Sequence, residues 1–137
     1  MERLALRRLM APLRLTILPE ALAVCRLAAG DAFPAWLPPH GFVSVTRTSD
    51  ELSIVCPQDA VPPGVPCEPG WCALAVAGPL DFGLTGILAS IATPLAEAGI
   101  SIFAISTFDT DYVLVKAERL DDAVEALRRA GHRFLSS

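Results

Sequence analysis

No stretch of the 137 residues reaches the roughly 18 uninterrupted apolar positions that a membrane-spanning helix needs. The nearest approach, from Gly86 to Ile105, is broken by Thr93, Pro94, Glu97 and Gly99, so no membrane partner is expected. Arg7 and Arg8 interrupt any apolar core of a secretory leader, and the expectation is a cytoplasmic chain. Positive charge is also short. Eleven Lys and Arg against 15 Asp and Glu leave a formal net charge of −4. Phosphate contacts supply most of the affinity for nucleic acid, so no nucleic-acid partner is expected either. Arg3, Arg7, Arg8 and Arg14 read as solvated side chains.

Catalytic residues are scarce too. The two histidines are His40, in a proline-rich stretch, and His132, after a glycine. Neither lies near a serine or cysteine in a nucleophile motif, and "LASIA" is no G-x-S-x-G elbow. No Walker-type phosphate loop occurs. Asp109-Thr110-Asp111 resembles the Asp-Thr-Gly of aspartic proteases only superficially, because Asp111 stands where the glycine should be. Those two carboxylates suit Mg²⁺, yet no further acidic residue is placed to complete a site. The four cysteines, Cys25, Cys56, Cys67 and Cys72, show neither a C-x2-C pair nor a partnering histidine. Cys25 and Cys56 sit in apolar runs, where buried reduced thiols are expected. No enzyme, cofactor or metal is expected.

What the chain does have is apolar substance: 53% hydrophobic against 19% charged residues, enough for a packed core. Its strongest punctuation is "CPQDAVPPGVPCEPGW", residues 56–71, whose five prolines and two glycines exclude a helix or a central strand. That places a boundary between 1–62 and 63–137. A shift of 60 residues lays "FVSVTRTSDELSIVC" (42–56) on "IFAISTFDTDYVLVK" (102–116), each reading as strand, polar turn, strand. The same shift puts Pro19 on Pro79, each ending an apolar run. The pattern suggests a duplicated unit.

The second part is the better specified. Residues 71–77 read as a buried strand. Leu84, Ile87, Leu88, Ile91, Leu95 and Ala98 recur at helical spacing, predicting a helix over 84–98 that Pro94 kinks and Gly99 ends. A hairpin follows at 100–116. A second helix spans about 120–130, with Asp121 and Asp122 at its start, Arg128 and Arg129 at its end, and Gly131 beyond. A short strand at 132–135 completes an α+β, ferredoxin-like βαββαβ sandwich with two helices on one face of an antiparallel sheet. In the first part, "AAGDAFPAWLPPHG" has three prolines where the first helix should be. It reads as a worn, helix-poor copy.

On these residues a resemblance rests. "ISTFDTDYVLV" (105–115), with the glycine-containing "LDFGLTG" (80–86), makes residues 76–134 resemble an ACT domain, the small amino-acid-binding regulatory module, in the variety found in aspartate kinases and cytosolic arginine sensors. The chain then reads as two ACT-like units in tandem, a degenerate one at 1–62 and an ACT domain at 63–137. The resemblance implies an amino-acid site at an ACT interface, in a homo-oligomer joined by sheet or helix pairing. Free N–H groups at Gly83, Leu84 and Thr85 would take the ligand carboxylate, helped by the helix dipole. Asp81 would pair with the ammonium or simply cap the helix. Phe82 lies between them. Asp109 would hold an ammonium or a cationic side chain, with Thr107 and Phe108 offering carbonyls and an apolar wall. Both aspartates also suit plain turn roles. Under the 60-residue shift Asp81, Gly83 and Asp109 fall on Ala21, Ala23 and Ser49, so at most one kind of site per chain, built mainly from the second part, is expected. The other reading is a ligand-free dimerisation module that has kept the fold.

Overall fold

The computed structural model describes residues 12–78 and 86–135. Its strands are β1 (Arg14–Ile17), β2 (Leu22–Leu27), β3 (Ser44–Arg47), β4 (Leu52–Pro57), β5 (Cys67–Val76), β6 (Phe103–Ser106), β7 (Asp111–Lys116) and β8 (Arg133–Phe134). Two α-helices, α1 (Ile87–Glu97) and α2 (Leu120–Arg129), follow β5 and β7, and short 3-10 turns occupy Gln58–Ala60 and Ala117–Arg119. The chain divides by its contacts into two units, one of residues 19–71, the other joining the segment up to Leu18 to residues 72 onward. That differs from a cut at 62/63.

In the larger unit the strands run in the order β6–β7–β5–β1–β8. Alternation puts Leu74 and Val76 of β5 and Val113 and Val115 of β7 in one core with Leu15, Ile91, Leu95, Ala123 and Leu127, so both helices cover one face of this sheet. Each fully buried Leu or Ile there contributes roughly 1.5–3 kcal/mol of transfer free energy. The departure from the four-stranded plan is β1. It pairs antiparallel with β5 (Leu15 opposite Val76) and parallel with β8 (Leu15 opposite Phe134). The first strand among the described residues therefore belongs with the last elements. Fully buried Leu15 anchors it, and its Leu13 and Leu15 carbonyls accept the N–H groups of Arg133 and Leu135.

Both helices end as glycine at C′ requires. Gly99 (φ 72°) follows α1, and the Ile100 N–H reaches back to the Leu95 carbonyl at 2.9 Å. Gly131 (φ 100°) follows α2, with the His132 N–H on the Leu127 carbonyl at 3.0 Å. The start of α1 differs from the expected 84: Gly86 is its N-cap, left-handed at φ 78°, and residues 84 and 85 lie outside the described ones. No helix of the described residues is long and apolar enough to cross a membrane.

In the smaller unit the order is β3–β4–β2–β5. Ala23, Cys25, Leu52, Ile54 and Cys56 form its core. No helix occupies 28–43. Trp36 and Leu37 pack on the core instead, and the Arg47 guanidinium, stacked over Phe33 at 5.9 Å, donates to the carbonyls of Ala29 and Asp31. One expectation fails inside "CPQDAVPPGVPCEPGW": residues 67–71 are strand, paired with β2. Proline is tolerated there because the register shifts between Leu22 and Val24, leaving Pro69 and Gly70 in a bulge opposite them. Gly70 takes φ 82° and its N–H donates to Gln58 Oε1 at 2.9 Å.

Candidate functional site

The hairpin β6–β7 pairs Phe103 with Leu114 through Ser106 with Asp111, leaving Thr107 to Thr110 as the bend. The bend is closed from within. The Thr107 N–H donates to the Thr110 carbonyl at 2.8 Å, the Thr107 hydroxyl donates to the same carbonyl at 3.1 Å, and the Thr110 N–H approaches the Thr107 hydroxyl at 3.4 Å. Phe108 and Asp109 are left at the tip, Phe108 with 80% of its surface exposed. Asp111 opens β7 and is half-buried, as a strand residue should be.

A second contact decides where that tip stands. The Thr110 hydroxyl donates to the carbonyl of Val76 at 2.7 Å. Val76 is the last residue of β5, and the Ala77 N–H beyond it is held by the Arg14 carbonyl at 2.8 Å. From there the chain enters the segment that leads to Gly86 and α1. The acidic bend and the departure point of that segment are thus fastened together. Asp81, Phe82, Gly83, Leu84 and Thr85 themselves lie outside the described residues.

The far side of that segment is held as well. Pro94 has no N–H to give the Ser90 carbonyl, which a helix would normally satisfy four residues on. His132 supplies the missing donor: its Nε2 lies 2.9 Å from that carbonyl, while its Nδ1 accepts the Leu13 N–H at 3.0 Å. These partners assign a neutral ring with the proton on Nε2. The imidazole is 4% exposed and joins β1, α1 and the start of β8. Two residues that the sequence reading passed over, Thr110 and His132, therefore position the bend and the helix. The signal for Thr110 was the pair of threonines bracketing the bend; for His132 it was the carbonyl that Pro94 must orphan.

Two open grooves border the helices, one around Pro94, Ala98 and Ala130, the other around Ile17, Val124 and Arg128. Neither includes Thr107, Phe108 or Asp109. Among the described residues no group of three or more His, Cys, Asp or Glu is placed to hold a metal ion.

The two hairpins also correct an alignment. Thr48 repeats the bend of Thr107: its N–H donates to the Glu51 carbonyl at 2.9 Å, and its hydroxyl accepts the Asp50 N–H at 3.1 Å. Thr107 follows Thr48 by 59 positions, not 60, and the pairs Ser44 with Val55 and Phe103 with Leu114 keep that offset. Asp109 therefore corresponds to Asp50, not to Ser49. The bend of the smaller unit also carries an acidic residue.

Residues 67–129 match the family model described as ACT domain, and residues 20–64 match one described as an N-terminal domain, inside the smaller unit. An X-ray structure of an Agobacterium tumefaciens protein is 45% identical, covers 91% of this chain and 93% of its own, and superposes with a TM-score of 0.86. The human protein named cytosolic arginine sensor for mTORC1 subunit 1 is 43% identical over 60 residues, 43% of this chain. That match spans 18% of the sensor's length, as with the other curated relatives. The ligand-free regulatory subunit of Thermus thermophilus aspartate kinase, 13% identical, covers 85% of this chain and 96% of its own at a TM-score of 0.55, a likeness of fold.

Proposed function

We propose that this chain, which belongs to the ACT domain family, is a regulatory module that binds a free amino acid. The ligand ammonium is held by Asp109 and the carbonyls around Thr107, with Phe108 as an apolar wall. The carboxylate is held on the approach to α1, where Asp81, Phe82, Gly83, Leu84 and Thr85 lead into a helix start whose N–H groups and dipole favour an anion. The observation that carries this reading is the Thr110–Val76 hydrogen bond, which fastens the acidic bend to the end of the strand from which that approach departs.

A zwitterion needs an acceptor and a donor set a few ångströms apart, and a bend sealed by its own hydrogen bonds can face a ligand without losing its shape. The bend also crowns a hairpin whose first strand, β6, pairs only with β7 among the described residues. A second copy adding there by edge pairing is the assembly we favour. A regulatory, non-catalytic part agrees with the likeness to a regulatory subunit. The cytosol is the compartment we assign.

Calorimetric titration of the full chain with each of the twenty amino acids tests the proposal. One or a few should bind in the micromolar to millimolar range, about −8 to −4 kcal/mol. Flat titrations at millimolar concentration, on protein shown to be folded, would leave only the ligand-free dimerisation module.

A further inference from the structure

We infer that Cys25 and Cys67 are a thiol–disulfide couple, an oxidation site whose solvent-facing member is Cys67. Cys25 lies in β2 and Cys67 opens β5, and the antiparallel register sets them directly opposite one another. The Arg26 N–H donates to the Pro66 carbonyl at 3.0 Å, which flanks this pair and makes it a non-hydrogen-bonded one. In such a pair the Cα atoms stand about 4.5 Å apart and the side chains lean together. A disulfide spans Cα separations of about 4.4–6.8 Å, so the bridge needs no backbone movement.

A third thiol is close, and register decides against it. Cys56 lies in β4 opposite Ala23, while Cys25 faces Ile54, so Cys25 and Cys56 are diagonal neighbours. The Cys25 and Cys56 thiols are in hydrogen-bond contact, but the Cα atoms of diagonal positions sit about 7–8 Å apart, at or past the limit for a bridge. Cys56 is moreover fully buried, and Cys25 is 1% exposed, whereas Cys67 is open to solvent. Desolvation by burial, and then the neighbouring thiols of Cys56 and Cys67, push the Cys25 thiol up to about 12, so little thiolate exists there. Attack on an oxidant falls to Cys67.

The oxidant is hydrogen peroxide. The Cys67 thiolate attacks one peroxide oxygen, the O–O bond breaks, and water leaves after taking up a proton, giving a sulfenic acid on Cys67. The Cys25 sulfur then attacks the Cys67 sulfur, the S–OH bond breaks, and the hydroxide leaves as a second water with the Cys25 proton. Two thiols are oxidised and one peroxide is reduced to two waters. The bridge closes a loop over residues 28–43 and the β3–β4 hairpin, so the oxidised chain should melt at a higher temperature.

The test treats the full chain with a small excess of hydrogen peroxide and maps its peptides by mass spectrometry. A Cys25–Cys67 linked peptide, lighter by two hydrogens and restored by a dithiol reductant, is the expected product. It should persist in Cys56→Ser and Cys72→Ser and vanish in Cys67→Ser, whose exposed position spares the fold. Cys67 passing to the sulfinic acid without a link, a link to Cys56 or Cys72, or links only between chains would each overturn the assignment.

Discussion

The two hairpins are built on one plan and anchored differently. Thr48 to Glu51 and Thr107 to Thr110 close by the same backbone bond at 2.9 and 2.8 Å, each opened by a threonine whose hydroxyl serves the bend. In the smaller unit the bend is bound to its own neighbour strand: Arg26 donates to the Asp50 carbonyl at 2.9 Å, and Glu51 takes the place of Thr110. In the larger unit the Thr110 hydroxyl reaches the end of β5, and a phenylalanine replaces Ser49 at the tip. One bend is tied down by an arginine; the other is moored by a single hydroxyl and presents an aromatic and a carboxylate to solvent. The difference lies in three side chains, not in the backbone. The two bends share one backbone pattern and differ in what anchors them.

The largest effect should come from the support that the smaller unit lacks. His132→Phe leaves the Leu13 N–H and the Ser90 carbonyl buried without partners, each costing about 1–3 kcal/mol, and chemical denaturation should show a loss of that order per group. Adding Pro94→Ala restores a backbone N–H for Ser90, so the double variant should recover part of that loss. Recovery of nothing would mean that His132 acts by packing alone.

The next effect separates the two aspartates. Asp109→Ala should weaken amino-acid binding by about 1–3 kcal/mol in calorimetry while the melting temperature barely moves. Asp50→Ala should leave binding unchanged. Equal losses for both would show that the smaller unit also serves the ligand, and a large loss of stability in Asp109→Ala would make it a turn-forming residue. Smaller again is Thr110→Val, which removes the mooring at Val76. A loss of about 0.5–1.5 kcal/mol in stability is expected, with weaker ligand binding than the stability change alone explains.

Local patterning carried most of the larger unit. The run from Ile87 to Leu95 repeats at helical spacing, glycines follow both helices, and charges bracket α2, so those elements could be read in the chain alone. The proline-rich stretch misled, because proline counts against a strand only where its missing N–H is needed, and a bulge at Pro69 and Gly70 removes that need. The hairpin alignment slipped by one residue because alternating apolar strands look alike under a small shift; the strand pairing and the closure of each bend distinguish the registers. For the candidate site, Thr107, Phe108 and Asp109 could be named from the bend they form, but not what holds the bend in place.

Short-range physics, then, lies open in the amino-acid order: helical periodicity, turn residues, caps and an apolar core all act within a few positions. Three features required the folded chain. They are β1 inserted between β5 and β8, His132 bonded to a carbonyl 42 positions away, and Cys25 set against Cys67 across two strands. Each joins groups far apart in sequence, and such pairings are chosen by the burial and hydrogen-bond satisfaction of the whole sheet, to which no local pattern responds.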